Sequence, residues 1–533
     1  MSRPGTWTLR GGHCWLTLAV LGALSAHAAS AANVTLETNP DSTLTLALQK
    51  IEGEPIALAE AQRLALIQAT PVRAAEAAFR AARGSLRHER GAFDPELFAD
   101  AVRSGVDQPT ASPFSGASVL QTEETKASAG GRVKLPTGTE LTASLETSKL
   151  ESNSAFSSLV PQYDTEGALS VRQPILKGLG PGTWGDRSSA ARELEAASAR
   201  YEDAVLDTRA QVERTYWDLY AAERDLGVQQ IIRDRAAALL EETRLREKAG
   251  LVGPNAVATA RVFLSEQEQV LLDREEQLDR TSDRLGTLIG KRSGDGTPRF
   301  RPSDSPPRDF PIESQDSLVA RALRQSRELR SVERRLEAAR ARARGAKWNA
   351  LPTLDFIGSL GGKGLSGTGR HVVFGTDTLR TTVSGDFSDT WTQVRKRQFP
   401  TWSAGFSLTI PLGFRADGGE HDRLRGEADE AEQALIATRR SLEERVRAGH
   451  RELVHASKRM EAAQDGIHAS LEQVRIGLLE YHSGRTTAFE LVRLAADLAT
   501  AQQRYSQALV RTAKAAADLR RLTSEGLPEG KTQ

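Results

Sequence analysis

The chain has 533 residues, of which 39% are hydrophobic, 5% aromatic and 26% charged, with a formal net charge of +1. Acids and bases are interspersed and not blocked, which removes the electrostatic argument for nucleic acid as a partner. Few aromatics and many charges suit exposed helices with narrow apolar seams better than one thick core, in either two or three ordinary domains or one elongated, duplicated one.

Residues 1–31 read as a secretory signal peptide: Arg3 and Arg10 form the basic start, residues 14–24 the apolar core, and Ala26-His27-Ala28 or Ala29-Ser30-Ala31 the cleavage site. The apolar core falls short of the roughly 20 residues needed to span a bilayer. Cys14, the only cysteine, is expected to leave with this segment, so the mature chain has no disulfide and no thiolate metal site. No later apolar run reaches the ~18 residues of a spanning helix. An exported chain of this kind is periplasmic, secreted, or set in an outer membrane as a β-barrel.

Residues 33–54 read as a poorly ordered leader. Residues 56–91 have helical apolar spacing, divided by Pro71, because a proline beyond the first helical turn costs about 3 kcal/mol. The period then changes. Residues 126–135 place Ala127, Ala129, Gly131, Val133 and Leu135 on one face; after the Pro136-Thr137-Gly138 turn, Leu141, Ala143 and Leu145 continue the alternation as a hairpin. Gly167, Leu169 and Val171 mark a further strand ending at Pro174, and residues 96–102 a weaker one. A Gly-rich linker, 177–185, leads to a long helix over 187–248, in which Val205, Val212, Leu219 and Leu226 recur every seven residues. A turn at Gly250 and a returning helix to 289 complete this half.

After a Pro/Gly/Asp-rich link, 291–316, the order recurs. Residues 317–347 read as one helix, Leu354 and Phe356 open a strand, and 361–396 reads as a long loop with room for a hairpin. Trp402, Ala404, Phe406, Leu408 and Ile410 then alternate with small polar residues up to Pro411. Residues 422–482 form the second long helix, with Val446, Leu453, Met460, Ile467 and Val474 on a heptad seam. Gly484 turns it into a last helix ending near 521, and 525–533 reads as a tail. Offsets support a duplication: Ala65, Arg73 and Pro95 match Ala322, Arg330 and Pro352, each 257 residues on, and Val212, Leu219 and Gly250 match Val446, Leu453 and Gly484 at 234. The expected fold is mainly α with β. The expected units are residues 32–290 (strands in 95–176, helix pair in 187–289) and 317–524 (strands in 353–411, helix pair in 421–521).

Amphipathic strands with one apolar and one small polar face suit a barrel with lipid outside and water inside. Too few are present for one chain to close a useful pore, so several chains would share it. On these residues the chain resembles the TolC-type outer-membrane efflux family. The resemblance is carried by the helix-to-strand passages 82–95 and 339–352, by Gln173-Pro174-Ile175-Leu176 and Ile410-Pro411-Leu412, and by Tyr481-His482-Ser483-Gly484 followed by Phe489-Glu490-Leu491. It implies a homotrimer, in which an outer-membrane β-barrel stands on a periplasmic α-barrel. It also implies partners: outer-membrane lipid, a periplasmic adaptor, and an inner-membrane pump or secretion ATPase, for efflux or type I secretion. Two features depart from the family pattern. The hairpin at 126–149 adds strands that either widen the barrel or sit outside it. Where family members can carry a ring of acidic residues one helical turn apart, this chain has Glu490 and Arg493, which make either a candidate gate or an ordinary i, i+3 pair.

By the same resemblance Gly250, Val257, Gly484 and Leu491 are candidate adaptor contacts at the helix tips. The two glycines equally suit simple helix termination. Trp402, Phe406 and Leu408 are candidate lipid-facing residues. Arginines such as Arg334 and Arg340 read as a solvated helix face. No catalytic constellation, nucleotide-binding loop or cofactor motif is expected; His450 and His455 lack the i, i+4 spacing of a helical zinc pair. The rival reading is a non-transporting periplasmic coiled-coil scaffold whose strands form a small cap.

Overall fold

The computed structural model describes residues 40–111, 115–293, 299–374, 377–483 and 485–525. The expected signal peptide, Gly484 and nearly all of the tail lie outside them. Seam residues at seven-residue spacing produce two 68-residue helices, α4 (Pro181–Lys248) and α9 (Arg415–His482). At ~1.5 Å per residue each runs roughly 100 Å. Their returning partners are α5 (Pro254–Ile289) and α10 (Ala488–Leu522). Before each long helix come a short and a medium helix: α2 (Leu58–Gln68) and α3 (Thr70–Gly91) in the first half, α6 (Gln315–Gln325) and α7 (Arg327–Asn349) in the second. The paired lengths of 11 and 11, 22 and 23, 68 and 68, 36 and 35 residues run in parallel through the two halves.

Of the seam residues, Val212, Leu219, Leu226, Val446 and Leu453 enter the core, while Val205, Met460, Ile467 and Val474 are half-buried. Val212, Tyr216, Trp217 and Leu219 of α4 pack with Leu278, Leu285 and Ile289 of α5 and with Val510 and Ala513 of α10. A second cluster joins Leu442, Val446 and Leu453 of α9 to Leu318, Ala322 and Leu329 of α6 and α7, and to Leu519 of α10. Ion pairs flank these seams. Asp218 and Asp207 of α4 meet Lys514 and Arg521 of α10, each at 2.7 Å, and Glu202 of α4 meets Arg327 of α7 at 2.9 Å. Arg334 and Arg340 are not merely solvated: they pair with Glu195 of α4 (3.0 Å) and Glu432 of α9 (2.9 Å).

Several expected boundaries move. The leader contains a helix, α1 (Pro40–Gln49), because Leu44 and Ala47 share one face and are buried against Val228, Ile231 and Ala499. The helix expected over 317–347 is broken at Ser326, whose extended backbone lets its hydroxyl accept the N–H of Leu329 as an N-cap. Both long helices start earlier than expected, so α4 takes up the end of the Gly-rich linker. Two short strands, β1 (Glu54–Ile56) and β6 (Phe300–Pro302), pair in parallel and fasten the start of α2 to the link between halves. There Tyr216 donates its hydroxyl proton to Ile56 O (2.9 Å) and accepts the N–H of Asp304 (3.0 Å).

The remaining long strands form one antiparallel sheet. They are β2 (Glu96–Pro109), β3 (Val119–Lys134), β4 (Glu140–Ser152), β5 (Leu159–Pro174), β7 (Thr353–Gly369) and β10 (Phe399–Thr409), in the order β10-β7-β5-β4-β3-β2. The hairpin at 126–149 therefore belongs to the sheet, with β3 and β4 inserted between β2 and β5. The expected loop at 361–396 is largely ordered structure: β7 continues through its glycines to Gly369, a small hairpin follows (β8, Val372–Phe374; β9, Asp377–Leu379), and then α8 (Phe387–Arg395).

Candidate functional site

Register fixes which side chains share a face of the six-stranded sheet, because residues directly opposite in an antiparallel pair point the same way. Phe406 lies opposite Phe356, Trp402 opposite Leu360, Leu360 opposite Leu169, Leu169 opposite Ala143, Ala143 opposite Gly131, and Gly131 opposite Leu97. That side thus carries an apolar band that crosses all six strands. Trp402, Phe406 and Leu408 stand on it, 75%, 71% and 61% exposed, with the Phe406 ring edge-on to Phe356 at 5.5 Å. The opposite side carries Ser403, Ser359, Ser170, Thr142, Arg132 and Glu96 along the same row. Both outer strands leave a free edge, and every residue of β10 except Trp402's backbone neighbour position 401 is exposed.

Where the polar side meets the helices, charges converge. Arg172 holds Asp355 at 2.6 Å and reaches Glu140 at 3.4 Å, and Lys177 holds Asp417 at 2.6 Å. These residues line a cavity of about 550 Å³ together with Asp186 and Arg342. Sequence reasoning did not find this cluster, since its paired positions lie 183 and 240 residues apart and share no local pattern.

At the far end of the long helices the two tips lie side by side. Glu242 of α4 takes Arg246 at 2.7 Å and accepts from the Tyr481 hydroxyl of α9 at 3.2 Å. Gly250 has φ +71°, a left-handed backbone that closes α4: its own N–H donates to Glu247 O and the N–H of Leu251 to Arg246 O, both 2.9 Å. The N–H of Arg485 closes α9 the same way on Glu480 O (2.9 Å), while Gly484 itself lies outside the described residues. Val257 and Leu491 are half-buried in the first turns of α5 and α10. Around them Leu251 is 73% exposed, with Leu245, Leu479 and Phe489 also exposed. Thr487 caps α10 by accepting the N–H of Glu490 (3.3 Å), and the Glu490 carboxylate lies 4.0 Å from Arg493, both side chains open to solvent.

Among the described residues no helix is long and apolar enough to cross a membrane, and no cluster of ligating side chains has the makings of a metal site. Comparison with known proteins gives one family match: the model for outer membrane efflux proteins matches residues 139–291 and 318–525. No curated protein matches the sequence. Solved structures share the fold at low identity. The outer-membrane channel OprN is 17% identical, with 91% of each chain covered and a TM-score of 0.59. A membrane protein from Pseudomonas aeruginosa is 16% identical over 92% of this chain and 94% of that one, TM-score 0.62. The open state of the MtrE outer membrane channel from Neisseria gonorrhoeae is 17% identical over 87% and 88%, TM-score 0.59.

Proposed function

The chain belongs to the outer membrane efflux protein family, and from that premise we propose that three copies form a passive exit duct through the outer membrane. The observation that carries this reading is the sheet, with an apolar band across all six strands and two unpaired edges. Strands of 11 to 17 residues meet or exceed the ~9–11 needed to cross a bilayer. Strand direction alternates along the sheet, so the β10 edge of one copy meets the β2 edge of the next antiparallel. An open apolar edge of this length is otherwise an aggregation site. Three six-stranded sheets give a wall of eighteen strands, a size class that encloses an aqueous channel, whereas six strands alone do not.

The long helices then continue the duct into the periplasm, and the two halves of each chain act as copies of one unit. Val262 and Leu272 of α5, both exposed in the single chain, are the apolar surface that neighbouring copies cover. The apolar tip around Gly250, Val257, Leu251 and Leu491, with Gly484, receives a periplasmic adaptor that links the duct to an inner-membrane pump or secretion ATPase. Glu490 and Arg493, in the first turn of α10, are the proposed constriction. Transport is driven by that partner; the duct is not an enzyme, in keeping with its family. The scaffold alternative needs protein to cover the apolar sheet face, and only part of it is covered among the described residues.

Conductance tests the reading. Purified chain added to a planar bilayer is expected to give discrete, long-lived openings of porin-like size; a chain that inserts yet stays non-conducting under every adaptor condition contradicts it.

A further inference from the structure

Helix α8 lies on the apolar side of the sheet, the side the proposed function turns towards lipid. Three glycines make this possible. A Cβ on Gly364 would overlap Thr390 O, one on Gly167 would come within 2.9 Å of Val394, and one on Gly362 would crowd Val394 O at 3.3 Å, so the helix rests on bare backbone. Thr165 and Thr390 join hydroxyls beneath it at 2.8 Å, and the Gln393 amide binds both backbone groups of Leu365 at 2.9 and 3.1 Å, just past the end of the β10 ladder. A capping box made by Asp386 and Asp389 fixes its start.

With Thr390 and Val394 facing the sheet, Trp391 and Arg395, one helical turn apart, lie on the adjoining ridge of the helix, which begins at Phe387 edge-on to Tyr163, and Trp391 is 45% exposed. Arg395, Lys396 and Arg397 follow in succession, all exposed, and no ion pair is found for any of them among the described residues. Arg397 lies over Gly362, one row short of Gly364, Thr165 and Thr147, where hydroxyls enter the apolar band on β5 and β4. This rim is the one remote from α4 and α9, hence the outer surface on the reading above.

We propose that α8 and Arg395-Lys396-Arg397 form a docking surface for the phosphate-bearing headgroups of outer-leaflet lipid. Trp391 seats at the headgroup level, where amphipathic rings favour the interface, and the three cations meet the anionic phosphates. The rigid glycine bed holds the helix at a fixed depth, and the surface anchors the duct against sliding along its axis. This inference rests on the outer-membrane reading.

The test uses the full chain reconstituted in vesicles of phosphatidylcholine with and without an anionic phosphatidylglycerol fraction. Bound lipid is counted by native mass spectrometry of the extracted complex. The triple variant Arg395→Gln, Lys396→Gln, Arg397→Gln is expected to lose anionic-lipid retention on the order of a hundredfold and to keep phosphatidylcholine retention. Headgroup-brominated lipid is expected to quench a component of tryptophan emission that Trp391→Phe removes. Equal anionic-lipid retention by the variant, in a complex that inserts normally, overturns this inference alone. Displacement of the lipid by millimolar inorganic phosphate overturns it in favour of a free-phosphate site. Failure of the wild-type chain to insert overturns both it and the proposed duct.

Discussion

Phe406→Arg places a charge in the middle of the apolar alternation that runs from Trp402 to Ile410. An arginine at the midplane of a membrane barrel costs about 2–4 kcal/mol on its lipid side. The lost edge-on contact with Phe356, at 5.5 Å, adds about 0.5–1.5 kcal/mol. The summed loss, about 3–5 kcal/mol per chain, corresponds to a shift of two to four powers of ten in the folded fraction. Ser407→Arg is the control: it is the next residue along β10, points to the polar side opposite Asp355, and is expected to change stability by less than about 1 kcal/mol. Reversible urea unfolding in phosphatidylcholine vesicles, followed by tryptophan emission, compares the two. Equal costs, or a larger one for Ser407→Arg, would refute the assignment of faces.

Three further outcomes are expected. Burial raises the Glu223 carboxyl above its ordinary value of 4.5, against the hydrogen bond and charge of Arg301 at 2.6 Å. The folded state therefore holds that proton more tightly; the stabilisation is full below the ordinary carboxylate range and fades as pH rises through the raised folded value. Arg301→Met strands the carboxylate and should cost on the order of 3 kcal/mol at neutral pH, with a smaller loss in acid; chemical denaturation at two pH values checks this, and recovery by added Glu223→Gln identifies the cause. Gly364→Val, forced against Thr390, should lower stability by about 1–3 kcal/mol and expose α8 to protease; unchanged cleavage would show that the helix is not held there. Glu490→Ala with Arg493→Ala should raise single-channel conductance or resting leak, and an unchanged current would remove that segment from the constriction.

Legibility in the sequence followed the length scale of each pattern. Alternation at Trp402–Ile410 and the heptads through Val212 and Val446 give clear periods because one whole face of each element is buried or apolar. Strand β2 runs to Pro109, past the weak pattern at 96–102, and its extension was not legible because Arg103, Gly105 and Asp107 replace the apolar residues Leu97, Ala99 and Ala101 on the same face. The glycines of β7 resembled a loop, since a pattern of missing side chains cannot show that a helix rests on them. The Ser326 break was hidden because serine is compatible with a helix interior and ends one only through its cap. The ion pairs between α4 and α10, and the Arg172–Asp355 cluster, join positions hundreds of residues apart that only the fold brings together. Gly250, Val257 and Leu491 lie at the helix tips, but a gate or an adaptor contact is a property of several chains.

The central claim is the shared barrel, and the most direct measurement is the native mass of the mature chain extracted from a Gram-negative outer-membrane fraction. The account predicts recovery in that fraction as a complex of three chains, cross-linked through the β10 and β2 edges. A soluble periplasmic monomer or dimer would contradict it and leave the coiled-coil scaffold standing.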